Sequence, residues 1–133
     1  MGKRRARKTS AGITLDTGAL IALDRGDQRM IALLRQALAH GFAFRVPSAV
    51  LGQAWRNGVQ VTLGRFLRSE EVEIIPLDAL LARSCGELCG ATNTADIIDA
   101  SVVILARERH EPIVTSDPSD LRRLDPAAPI IAI

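Results

Sequence analysis

The chain has 133 residues, 47% of them hydrophobic, enough for one domain to bury a core without disulfide or metal staples. With three Phe, one Trp and no Tyr, it lacks the material for an aromatic platform that stacks single-stranded bases. The net charge of +2 is uneven: five of the 17 basic residues are Lys3, Arg4, Arg5, Arg7 and Lys8, which leaves 12 basic against 15 acidic residues elsewhere. The body is therefore mildly acidic. The arm reads as a solvated tail, with added phosphate affinity as the alternative.

Residues 1–11 form this basic arm and 12–133 the folded domain. Residues 13–15 read as a short apolar strand that Asp16-Thr17-Gly18 ends. After the apolar run 19–23, residues 27–38 carry apolar side chains at helical spacing, with Asp27 as N-cap and Gly41 as stop. A second strand spans 42–46. Pro47-Ser48 opens a helix to Arg56, and a further helical piece runs over 59–68. A third strand covers 72–77, and Asp78 caps a helix to about Gly90. The loop 91–93 precedes a helix over 94–109, and 112–115 is the fourth strand. Pro118 starts a short helical turn, and 130–133 is the last strand. Short apolar strands alternating with longer helices predict a single α/β domain. Its sheet is mainly parallel, of about five strands, with helices on both faces and function at the carboxyl ends of the strands.

Cys85 and Cys89 lie four apart in a helical segment and are too few for a zinc site, so they read as small core residues. His40 and His110 fall at helix ends and read as surface residues. Neither a signal peptide nor a run long enough to span a membrane is present, and a soluble cytoplasmic protein is expected.

The acids carry the chemistry. Asp16 follows the first strand, Asp96 and Asp99 are three apart and expected on one helix face, and Asp117 and Asp120 follow Ile113-Val114-Thr115. Singly, Asp96 reads as a helix-start acid and Asp117 with Asp120 as an acidic turn and cap, whereas Asp99, a turn deeper on a partly buried face, is harder to explain so. Together they conflict, because carboxylates roughly 4 Å apart repel by about 4 kcal/mol per pair at an effective dielectric near 20. A hard divalent cation with oxygen ligands resolves the conflict and points to phosphate chemistry. The hydroxyls of Thr17, Thr115 and Ser116 are placed to orient these carboxylates.

Four segments in order carry a family resemblance: Leu15-Asp16-Thr17-Gly18-Ala19-Leu20-Ile21-Ala22-Leu23, Val46-Pro47-Ser48-Ala49-Val50-Leu51-Gly52-Gln53-Ala54-Trp55-Arg56, Ala95-Asp96-Ile97-Ile98-Asp99-Ala100-Ser101-Val102-Val103 and Val114-Thr115-Ser116-Asp117-Pro118-Ser119-Asp120-Leu121. Over almost all of 12–133 the chain resembles the PIN-domain ribonucleases, and most closely the VapC toxins of type II toxin–antitoxin pairs. The resemblance implies a five-stranded parallel sheet and Mg²⁺- or Mn²⁺-dependent hydrolysis of RNA. Asp16, Asp99 and Asp117 match the family's acidic positions, and Asp96 and Asp120 match less uniform ones. It also implies a small VapB-like antitoxin, whose tail enters the acidic cleft, and a homodimer. The helices around Leu51, Trp55, Val61 and Leu63 are candidates for either surface, and ordinary core packing explains them equally well.

The sequence departs from the family at Gln53, where many PIN domains carry Glu. An amide brings no charge to a cation, although its carbonyl accepts a hydrogen bond. Asp96 is expected to supply the missing charge. The competing reading is a PIN-like binding or scaffold module whose metal site Gln53 has weakened. Trp55 reads as packing against a helix or partner chain, and Arg56 as a phosphate contact near the site. Two other Asp-first folds fail. A haloacid-dehalogenase-like phosphatase needs an acid where Gly18 stands, and a receiver domain needs a late Lys, whereas none follows Lys8.

Overall fold

The computed structural model describes residues 11–56, 58 and 61–133. The basic residues of the arm, and the start of the helical piece expected from 59, lie outside the described residues. Among the described residues, five strands and seven helices follow one another as β1 (Gly12–Leu15), α1 (Thr17–Asp24), α2 (Gln28–Ala39), β2 (Ala43–Pro47), α3 (Ser48–Trp55), α4 (Val61–Leu67), β3 (Val72–Ile75), α5 (Ala79–Thr92), α6 (Ile97–Arg109), β4 (Ile113–Thr115), α7 (Pro118–Leu124) and β5 (Ile130–Ala132). The strands form one sheet in the order β3-β2-β1-β4-β5, and every pairing is parallel.

This order decides where a site can form. The chain winds outward from β1 to β2 and β3, then crosses back to β4 and β5. Right-handed crossovers therefore put α1–α4 on one face and α5–α7 on the other, and each set packs chiefly within itself. The winding reverses between β1 and β4, and the crevice beyond the carboxyl ends of such a strand pair is where open parallel sheets take ligands.

The apolar run 19–23, to which sequence pattern gives no element, is the body of α1, whose Ala19, Leu20 and Leu23 are buried. A helix this short and apolar has no polar face to reveal its period. One expectation needs correction. The helix expected from 94 begins at Ile97, and Asp96 stands before it in extended backbone (φ −87°, ψ 98°). Asp96 and Asp99 thus do not share a helix face: one caps the helix and the other lies in its first turn. Asn93, with φ 54°, ends α5, and the chain bends by 105° between α5 and α6.

Leu15, Phe44, Val46, Val102, Val103, Ile113 and Val114 form the centre of the core, and Cys85 and Cys89 are buried in it. One row of the sheet is polar. Thr14 of β1 pairs with Arg45 of β2, which pairs with Glu73 of β3. Arg45 is buried and lies 3.3 Å from Glu73 and 3.4 Å from Glu111. The Thr14 hydroxyl donates to Glu111 (3.0 Å), and Arg109 pairs with Glu73 (3.1 Å). Burial pushes the Glu111 carboxyl up, while Arg45, Thr14 and Arg109 pull it down. The network occupies the space over Gly12, where a Cβ would collide with the Glu111 carboxylate. A one-residue slip of β2 would move Arg45 to the opposite face, so the row also fixes register. Among the described residues, no single helix is long and apolar enough to cross a membrane.

Candidate active site

The acidic rim is built from the starts of three helices. Asp16 follows β1 and is the N-cap of α1, its Oδ1 accepting the Ala19 N–H at 2.9 Å. Asp96 caps α6 in the same way, accepting the Asp99 N–H at 2.9 Å. Asp117 is the N-cap of α7, where Pro118 takes the first helical position; its carboxylate makes no cap bond and accepts the Ser119 hydroxyl at 2.8 Å. Asp99 and Asp120 occupy the third positions of α6 and α7. The positive ends of three helices therefore face the acids and offset part of their repulsion.

The offset is incomplete. Asp99 is pushed up to about 7, first by burial and then by Asp96, Asp16 and Asp120. Asp16, itself buried, is raised first by burial and also by Asp117, against the pull of hydrogen bonds from Thr115 and the Ala19 backbone. Asp117, on the open side, is lowered, chiefly by Ser119. Asp16 and Asp99 thus link all five acids into one electrostatic cluster. Among the described residues, no three His, Cys, Asp or Glu side chains are gathered into a group that could hold a metal ion. The donor set is nonetheless all oxygen and short of positive charge, and in both respects it suits a hard dication.

Neighbouring hydroxyls set these carboxylates. Buried Thr115 accepts the Asp117 N–H at 2.9 Å and hydrogen-bonds to Asp16, tying the β4 loop to the end of β1. Ser116 packs over Gly18, where a Cβ would collide with its hydroxyl. Thr17 donates to the Gln53 amide oxygen, so Gln53 faces the rim from α3 without adding charge.

Asp117 lines an open recess with Arg122 and Arg123, and two more lie near the helix starts. One, of about 520 Å³, is lined by Asp96, Asp99, Asp120 and Arg123. The other, of about 320 Å³, holds Thr17 and Gln53 together with Arg25 and Arg56. Arg25 had no motif to single it out in the sequence. His40 and His110 are exposed helix caps away from the rim. Leu63 belongs to the core, whereas Trp55 is 47% and Val61 69% exposed.

No protein-family model and no curated protein matches the chain by sequence. Solved structures do match. VapBC2 from Rickettsia felis, bound to a DNA fragment from their promoter, superposes with a TM-score of 0.68 at 19% identity, covering 92% of this chain and 98% of the other. VapC20 from Mycobacterium tuberculosis, a sarcin-ricin loop cleaving toxin, gives 0.59 at 19% identity over 76% and 86%. FitAcB from Neisseria gonorrhoeae gives 0.61 at 14% identity over 90% and 96%. The chain has the PIN-like fold of the VapC-type toxins.

Proposed function

We propose that the protein is a Mg²⁺- or Mn²⁺-dependent endoribonuclease acting as the toxin of a VapBC-type toxin–antitoxin pair. What supports this reading is the placing of the acids: five stand at the starts of three helices at the carboxyl edge of the sheet, and Asp99 is pushed up to about 7, first by burial and then by Asp96, Asp16 and Asp120. Carboxylates in mutual conflict at the ligand-binding edge of an open sheet suit a cation-binding role better than a structural one.

Asp16, Asp99 and Asp117 would hold the ion, with Asp96 adding charge where Gln53 does not. When bound, the ion would supply Lewis acidity towards a phosphodiester and help activate water. The chain's own contribution is positional. Asp16 is fixed by the Ala19 N–H and Thr115, and Asp96 by the Asp99 N–H. Asp99, partly protonated near neutrality without metal, would give up its proton as the ion enters.

The partner on this reading is a small antitoxin that covers the acidic rim. The exposed Trp55 and Val61 would lie in a homodimer or antitoxin face, which light scattering after size exclusion would test. The competing reading, a weakened binding module, draws on Gln53. Purified protein with structured RNA and Mn²⁺ separates the two. Cutting should occur, stop with EDTA and fall at least about 100-fold in Asp99→Asn. Undiminished cutting by that variant would remove the residue assignment, and no cutting by the unaltered protein would favour the binding module.

A further inference from the structure

The recess beside the acids has a composition of its own. Thr17, which follows Asp16 directly in the chain, and Gln53, joined by their hydrogen bond, line it. Arg25, at the C-cap of α1, and Arg56, at the C-cap of α3, stand in the same recess, beside the exposed Ile21. Among the described residues neither guanidinium is ion-paired, and both are exposed. The one carboxylate lining the recess, Asp24, accepts the Leu63 N–H at 3.3 Å. Two unpaired guanidiniums beside a cluster of acids call for an anion, because a phosphodiester approaching the acids meets repulsion unless cations flank its path.

We infer that this recess is the seat for one nucleotide of a single-stranded RNA, next to the bond being cut. Arg25 and Arg56 take its phosphate, and the exposed Ile21 takes the apolar side of its sugar or base. This assignment rests on the endoribonuclease reading for the identity of the chain that enters. The volume, about 320 Å³, lies at the lower end of small-ligand sites and matches one such unit, not a duplex. A base must be splayed from its neighbours to enter, which single strands and loops allow. Guanidinium donors in a planar fork suit phosphate better than an ammonium would.

The test measures binding apart from cutting. In an Asp99→Asn background, anisotropy of a labelled single-stranded oligoribonucleotide is recorded with Arg25→Gln, Arg56→Gln and, as control, the exposed Arg35→Gln on α2. Each recess variant should weaken binding about tenfold and lower the slope of log affinity against log salt by about 0.7, with Arg→Lys at the same position restoring the slope. Arg35→Gln should do neither, and circular dichroism melts should show all variants folded. Unchanged affinity and slope at both recess positions, or equal losses in the control, would overturn the inference. Competition by inorganic phosphate as strong as by the oligonucleotide would also overturn it, since a bare anion site would then suffice. The two readings fail separately. If the unaltered protein cuts RNA while Arg25→Gln and Arg56→Gln keep its KM, the recess assignment falls alone. If it never cuts but binds with this Arg dependence, the hydrolase reading falls alone.

Discussion

Asp99 carries both a cost and the proposed activity. Its carboxyl is raised from the ordinary 3.8 to about 7, so the metal-free folded chain holds a proton that the unfolded chain releases. Its stabilising effect is thus full at low pH and is lost as pH rises from about 4 through about 7. In EDTA, the unaltered protein should lose more stability between about pH 5 and about pH 8 than Asp99→Asn does, and the variant should melt about 3–6 °C higher at the upper pH. That corresponds to about 1 kcal/mol, below the full shift because the side chain is partly in water. Equal pH slopes in the two proteins would show that Asp99 is not under this strain. Gln53 gives the converse case. Its amide oxygen already accepts from Thr17, and a carboxylate would accept equally, so Gln53→Glu fits without displacing a neighbour. The variant should lower the Mn²⁺ concentration for half-maximal cutting by about three- to tenfold and reduce metal-free stability. A higher metal requirement would show that Gln53 does not face the ion.

At the scale of elements, the rim depends on the close approach of the β1–α1 and β4–α7 turns. Gly18 permits it, because Ser116 lies over its Cα. Gly18→Ala should cut RNA several-fold more slowly, and adding Ser116→Gly should restore most of the rate; an unaffected single variant would show that the contact does not set the rim. The polar row anchors the other end of these strands. Arg45→Met should cost about 3–5 kcal/mol in urea unfolding, because Glu111 and Glu73 lose their buried partner. Adding Glu111→Leu should recover a large part, and no recovery would locate the cost in packing. Element by element, much was legible in the sequence. Asp27 and Asp78, recognisable as caps from their place before helical runs, accept the Met30 and Leu81 N–H groups. Asp96 is a cap and not a first-turn acid, two positions that spacing alone does not tell apart. Arg45 was invisible, since a lone Arg between Phe44 and Val46 shows neither its burial nor partners 28 and 66 residues away.

Across the whole molecule, the parallel sheet was legible from strand–helix alternation, and acids placed just after strands pointed to its carboxyl edge. What the sequence withheld is the three-dimensional sum. Five aspartates cap helices here, and only the strand order separates the three on the rim from Asp27 and Asp78. The recess with Arg25 and Arg56 was likewise beyond reach, being made by the ends of two helices far apart in the chain. The central claim, that these converging carboxylates bind a divalent ion, is tested most directly by calorimetric titration of the metal-free protein with Mn²⁺ in two buffers of different ionisation heat. Saturable binding is expected, with release of a fraction of a proton near pH 7, weakened at least about tenfold in both Asp16→Asn and Asp99→Asn. No saturable binding, or binding indifferent to both substitutions, would contradict it.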